Sequence, residues 1–239
     1  MKLAEFDTLT FDCYGTLIDW ESGIFAALQP LFARVAAPPG REAALAAFAR
    51  HESAQEAETP AMLYSDLLAC VHGRLAGEWG ATGDAAVDAR FGASVPDWPA
   101  FPDSPAALAY LKQHYRLIIL SNVDRASFAA SNRRLGVTFD AIHTAEDIGS
   151  YKPDPRNFAY LLARLAERGI GPGQVLHTAQ SLFHDHGPAQ RVGLATAWID
   201  RRHDAAGWGA TMAPAEGAGY DFRFTSLGEM AAAHRSGAA

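Results

Sequence analysis

Short apolar runs closed by turn residues alternate along this chain with longer stretches of helical periodicity. Residues 6–13 (FDTLTFDC) are rich in Phe, Thr and Leu and end at Tyr14-Gly15-Thr16, which predicts a strand followed by a turn. Similar strand signals recur at 117–120 (LIIL), 141–144 (AIHT), 175–178 (VLHT), 196–199 (TAWI) and 222–225 (FRFT). Helical patterns fill 104–114, 125–135, 155–168 and 186–192. Alternation of this kind predicts parallel βαβ units: an α/β, Rossmann-like sheet with helices on both faces. The unbroken LIIL fits a strand buried on both sides.

Residues 20–97 break that rhythm. They are rich in Ala, Leu and Glu, with helical candidates at 23–36, 41–57, 61–78 and 83–91 and no strand signal. Pro38-Pro39-Gly40 and Thr59-Pro60 separate the helices. The stretch therefore reads as a helical insertion after the first strand, with the proline-bearing segment 95–103 leading back. The Gly- and Ala-rich residues 201–220 read mostly as loop. The expected division is a core of 1–19 and 97–239 interrupted by a helical unit of 20–96.

Composition adds mainly exclusions. The 239 residues carry 20 Lys+Arg against 27 Asp+Glu, a net charge of −7, which argues against nucleic-acid or anionic-membrane partners. Cys13 and Cys70 give neither zinc spacing nor a disulfide framework, as expected in a reducing compartment. The N-terminus lacks the apolar stretch of a signal peptide, and no run of eighteen apolar residues occurs. These features predict a soluble, cytoplasmic protein.

Ligands of open parallel sheets bind beyond the carboxyl ends of the strands. Four such ends carry chemistry here: Asp12, Ser121-Asn122, Lys152 and Asp185. They supply a carboxylate nucleophile, a hydroxyl and an amide, a cation and a second carboxylate. Strand alternation turns Cys13 away from Asp12 and into the core. His184-Asp185-His186 suggests a histidine lining the same pocket rather than a metal centre.

The ordered motifs Asp12-Cys13-Tyr14-Gly15-Thr16-Leu17, Ser121-Asn122, Tyr151-Lys152-Pro153-Asp154-Pro155 and Asp185 resemble those of the haloacid dehalogenase-like hydrolase superfamily, and 20–96 resembles its cap domain. Phosphatases of that superfamily carry a second Asp where this chain has Tyr14, and a carboxylate within the stretch that here reads Ala179-Gln180-Ser181. Asp-x-Tyr-Gly-Thr is the form of its 2-haloacid dehalogenase branch.

The resemblance implies metal-independent hydrolysis of short 2-haloalkanoic acids, with no cofactor. Asp12 would form an ester, Lys152 would hold Asp12 ionised, and Asp185 would orient water. Thr16, Ser121 and Asn122 would bind carboxylate oxygens, with Tyr14 and Gln180 in the substrate pocket. A cap cation would hold the small carboxylate substrate, with Arg50 first choice and Arg34 and Arg41 behind it. Phe158, Gln180 and Leu182 depart from the branch's usual Tyr, Ser and Asn. Homodimers are frequent among similar proteins. The alternatives are a Mg²⁺-dependent phosphatase and a non-catalytic anion-binding protein of the same fold.

Overall fold

The six strands β1 (Thr8–Phe11), β2 (Arg116–Ser121), β3 (Ala141–Thr144), β4 (Val175–Ala179), β5 (Ala195–Ile199) and β6 (Phe222–Phe224) form one sheet. Its order is β3-β2-β1-β4-β5-β6, and every neighbouring pair is parallel. The structure, a computed structural model, describes residues 1–215 and 217–237. Between β1 and the return to the sheet lie α1 (Trp20–Ala27), α2 (Gln29–Phe32), α3 (Arg41–Glu58), α4 (Tyr64–Glu78) and α5 (Ala85–Gly92). The remaining helices are α6 (Ser104–Leu111), α7 (Arg125–Leu135), α8 (Ala145–Ile148), α9 (Pro155–Ala166), α10 (Gly187–Arg191) and α11 (Leu227–Ser236).

Residue alternation along β2 divides the core. Ile118 and Leu120 join Phe158, Leu161 and Leu165 of α9 on one face. Leu117 and Ile119 join Leu108, Phe128 and Met230 of α6, α7 and α11 on the other. Helices thus cover both faces, as the LIIL run requires. The expected helix over 23–36 is two helices, because Pro30 lacks an N–H and α2 starts afresh at Gln29. The expected strand over 6–13 pairs only from Thr8 to Phe11; beyond it the chain turns at Gly15, whose φ of +89° suits glycine.

The central strand β1 pairs with β2 on one side and β4 on the other, with Thr8 opposite both Arg116 and Val175. The strand order therefore diverges at β1, and the loops after β1, β2 and β4 meet at one end of the sheet. The helical insertion closes onto this end. Asp124 caps α7 by accepting from Ser127 N–H at 2.8 Å, while its other oxygen accepts from Ser65 N–H of α4 at 3.2 Å.

Candidate active site

At that end of the sheet, Lys152 links two buried carboxylates. Its Nζ donates to Asp12 Oδ1 at 2.9 Å, Asp185 Oδ1 at 2.7 Å and the Leu120 carbonyl at 2.9 Å. All three side chains are buried. Burial disfavours the ammonium, but the two carboxylates hold the Lys152 pKa up at about 12. Burial likewise works against Asp185, yet Lys152 and His177 keep it well below the usual carboxylate range. For Asp12, burial prevails and raises the carboxyl against the pull of Lys152, with the Asp185 charge adding to the rise.

Local structure sets each of these groups. Thr16 donates to Asp12 Oδ2 at 2.7 Å and accepts from Gln180 N–H at 2.9 Å, tying the turn after β1 to the end of β4. Asn122 binds the Lys152 backbone from both sides, and Asp154 with Pro155 at its first turn starts α9 just beyond. Asp185 sits on a single π-helical turn, Leu182–His186, which Ser181 caps by accepting from His184 N–H. His177 accepts from or donates to Thr10 and Asp185 at 2.9 Å each. With Asp185 ionised, Nε2 carries the proton and Nδ1 accepts from the Thr10 hydroxyl.

Asp12, Lys152, Asp185 and Asn122 line a narrow cavity of about 30 Å³. The Tyr14 ring lines it too, but its hydroxyl is bound to Ser131 at 2.8 Å. Of the histidines flanking Asp185, His184 reaches the cavity. His186 turns its Nε2 to the Ala179 carbonyl at 3.0 Å. Cys13 is buried in the apolar core.

Three expectations are corrected by geometry. Arg50 is outside the cavity: its side chain is 54% exposed and its guanidinium lies 3.0 Å from Glu78. The buried face of α3 runs through Leu45, Phe48, Glu52 and Glu56 at helical spacing, and Arg50 falls opposite that stripe. Arg34 pairs with Asp84, and Arg41 lies over the Phe25 ring beside a separate cavity of about 360 Å³. Gln180 contributes its backbone N–H to the site, while its side chain lines that second cavity. Ser121 is buried beside Asn122 without lining the first cavity, and its hydroxyl has no partner.

What sequence reasoning missed is the pair Glu52 and Glu56, which line the cavity from α3. Glu52 accepts from the Tyr64 hydroxyl at 2.6 Å, and Glu56 accepts from Asn122 Nδ2 at 3.1 Å. Burial pushes Glu52 up to about 8; burial and the Glu52 charge push Glu56 well above its usual value. Their signal was present: both continue the apolar stripe of α3 at intervals of four.

A family model for haloacid dehalogenase-like hydrolases matches residues 6–178, which contain Asp12, Ser121, Asn122 and Lys152. The chain belongs to this family. Among curated relatives of this haloacid dehalogenase-like hydrolase is (S)-2-haloacid dehalogenase 4A of Burkholderia cepacia, 30% identical over 116 residues. That match takes in 47% of this chain and spans about half, 48%, of the relative. A crystallised L-2-haloacid dehalogenase superposes with a TM-score of 0.76 at 25% identity, covering 95% of this chain and 98% of its own. The L-2-haloacid dehalogenase of Xanthobacter autotrophicus shares the fold, with a TM-score of 0.73 at 21% identity over 96% of this chain and 98% of that one. No helix among the described residues is long and apolar enough to cross a membrane.

Proposed function

We propose that this hydrolase removes halide from short 2-haloalkanoic acids, or carbonyl derivatives of them, through an ester at Asp12. The observation that carries the reading is the clamp on Asp12: Lys152 and Thr16 hold one oxygen each, and the residue two positions on is a phenol already bound to Ser131. A carboxylate so held is oriented for in-line attack on carbon. Halide leaves with the bonding electron pair and needs no proton.

Lys152 balances charge at Asp12 as the ester forms and breaks. Asp185 uses Oδ1 for Lys152 and His177, while its buried Oδ2 has no partner and is available to orient water at the ester carbonyl. Hydrolysis there restores Asp12 and releases the 2-hydroxy product and a proton, the halide having left as the ester formed. A Mg²⁺ site fits these residues poorly, since Asp12 and Asp185 share one ammonium and residues 179–181 supply no carboxylate.

The test measures halide release from 2-chloropropionate and 2-chloropropionamide in EDTA, with phosphate release from p-nitrophenyl phosphate in Mg²⁺ alongside, for wild type and Asp12→Asn. EDTA-resistant turnover of either halogenated compound, abolished in the variant, is expected. Phosphate release without halide release overturns the reading.

A further inference from the structure

The cavity offers a substrate carboxylate no free cation. Among its described lining residues Lys152 is the sole Lys or Arg, and Asp12, Asp185 and the Leu120 carbonyl occupy its ammonium. The other wall presents Glu52 and Glu56, one helical turn apart and both buried. With Asp12 and Asp185 already present, a substrate carboxylate would add negative charge to a pocket holding one committed cation.

Two buried polar atoms of residues lining the cavity lack hydrogen-bond partners. His184 Nε2 has no hydrogen-bond partner, lies in a residue only 8% exposed and sits 4.0 Å from Glu56 Oε2. Asp185 Oδ2 is buried and equally unpartnered in the same cavity. Asp185 Oδ2 serves the hydrolytic water, which leaves His184 Nε2 and the Glu56 carboxyl to meet the group beside the halogen-bearing carbon.

A carboxylate accepts only. A primary carboxamide offers two N–H donors and one carbonyl acceptor, and a carboxyl side chain pairs with it reciprocally through one bond in each direction.

We propose that the preferred substrate is an uncharged 2-haloalkanamide whose carboxamide is held by Glu56, with Glu52 and His184 beside it, so that these residues set specificity. The inference rests on the Asp12 displacement proposed above and changes only the group next to the halogen-bearing carbon. The carbonyl that activates that carbon is kept. The reaction is R–CHX–CONH₂ plus water giving R–CHOH–CONH₂, halide and a proton: the C–X bond breaks, the Asp12 O–C bond forms, and water then cleaves the ester at its carbonyl. The amide bond is untouched.

The deciding measurements compare 2-chloropropionamide with 2-chloropropionate in a Cys70→Ser background, which removes the exposed thiol as an alkylation target. The amide is expected to show at least tenfold higher kcat/KM. Glu56→Met is expected to lower kcat/KM for the amide at least tenfold more than it lowers that for the acid. Higher kcat/KM for the acid overturns the proposal, as does an amide preference that survives Glu56→Met. Binding of propionamide and propionate, followed by NMR titration of the wild type, tests recognition without chemistry. Tighter propionate overturns specificity even if halide is released, whereas absent halide release with tighter propionamide overturns only the Asp12 reading.

Discussion

Asn122 grips the Lys152 backbone from both sides, accepting from its N–H at 2.7 Å and donating to its carbonyl at 2.9 Å. The same amide donates to Glu56 on α3, so one residue at the end of β2 registers both the ammonium-bearing loop and the helix that closes the cavity. Replacing Asn122 with Ala removes three hydrogen bonds and leaves buried partners unsatisfied. The expected loss is about 2–3 kcal/mol, read as a fall in Tm of roughly 5–10 °C in a chain of this size. The kcat for halide release is expected to fall at least tenfold with KM less affected, because Lys152 loses its fixed position. An unchanged kcat would separate the loop's registry from catalysis.

Lys152→Met leaves Asp12 and Asp185 buried without a counter-charge. Breaking a buried pair from one side costs about 3–5 kcal/mol, and turnover is expected to vanish. The pH dependence has a definite sign. In the wild type Asp185 is depressed, so its stabilisation is present above the ordinary carboxylate pKa and is lost as pH falls through the lower folded value. In the variant the buried carboxylates are raised and stability falls as pH rises. Urea denaturation at pH 4 and pH 7 should therefore show the deficit of the variant widening toward pH 7; a constant deficit would contradict the charge argument.

Glu52→Gln tests the acid at the other wall. The folded-state pKa is raised to about 8 by burial, so its contribution is fully present below the unfolded value and is lost progressively as pH rises from there to about 8. Gln does not titrate and can still accept from Tyr64. The stability of Glu52→Gln relative to wild type should thus increase between pH 5 and pH 8 by at least about 1 kcal/mol. A difference that stays level across that range would mean Glu52 is ionised in the folded protein.

Arg50→Ala is expected to leave kcat/KM within twofold and Tm essentially unchanged, since its guanidinium meets Glu78 at the surface. A tenfold fall in kcat/KM would return Arg50 to the site.

The contrast between Arg50 and Glu56 marks how far the sequence can be read. Strand ends were legible because turn chemistry and apolar runs are local, and Asp12, Thr16, Lys152 and Asp185 converge through the sheet order that such runs imply. The inward face of α3 was legible in principle, from Leu45, Phe48, Glu52 and Glu56 at helical spacing. Expecting an arginine from resemblance overrode that phase, because charged residues ordinarily face water. The Gln180 and Ser121 side chains were out of reach. The direction of Gln180 depends on how Thr16 and Trp198 bind its backbone, and no local pattern reports those distant contacts.

The position of β1 bears on how the protein is made. The strand that carries Asp12 is synthesised first yet ends in the middle of the sheet, and its partner in β4 lies 167 residues away, as Thr10 and His177 show. At about 5–20 residues per second, the ribosome needs roughly 8–30 s to deliver that partner. Residues 8–11 have no strand partner until β2 is made, and one edge of β1 stays open to chaperones or neighbouring nascent chains until β4 follows. Asp12 exists as a side chain long before its surroundings exist as a site, and the long-range pairing that completes them makes this a slowly folding topology.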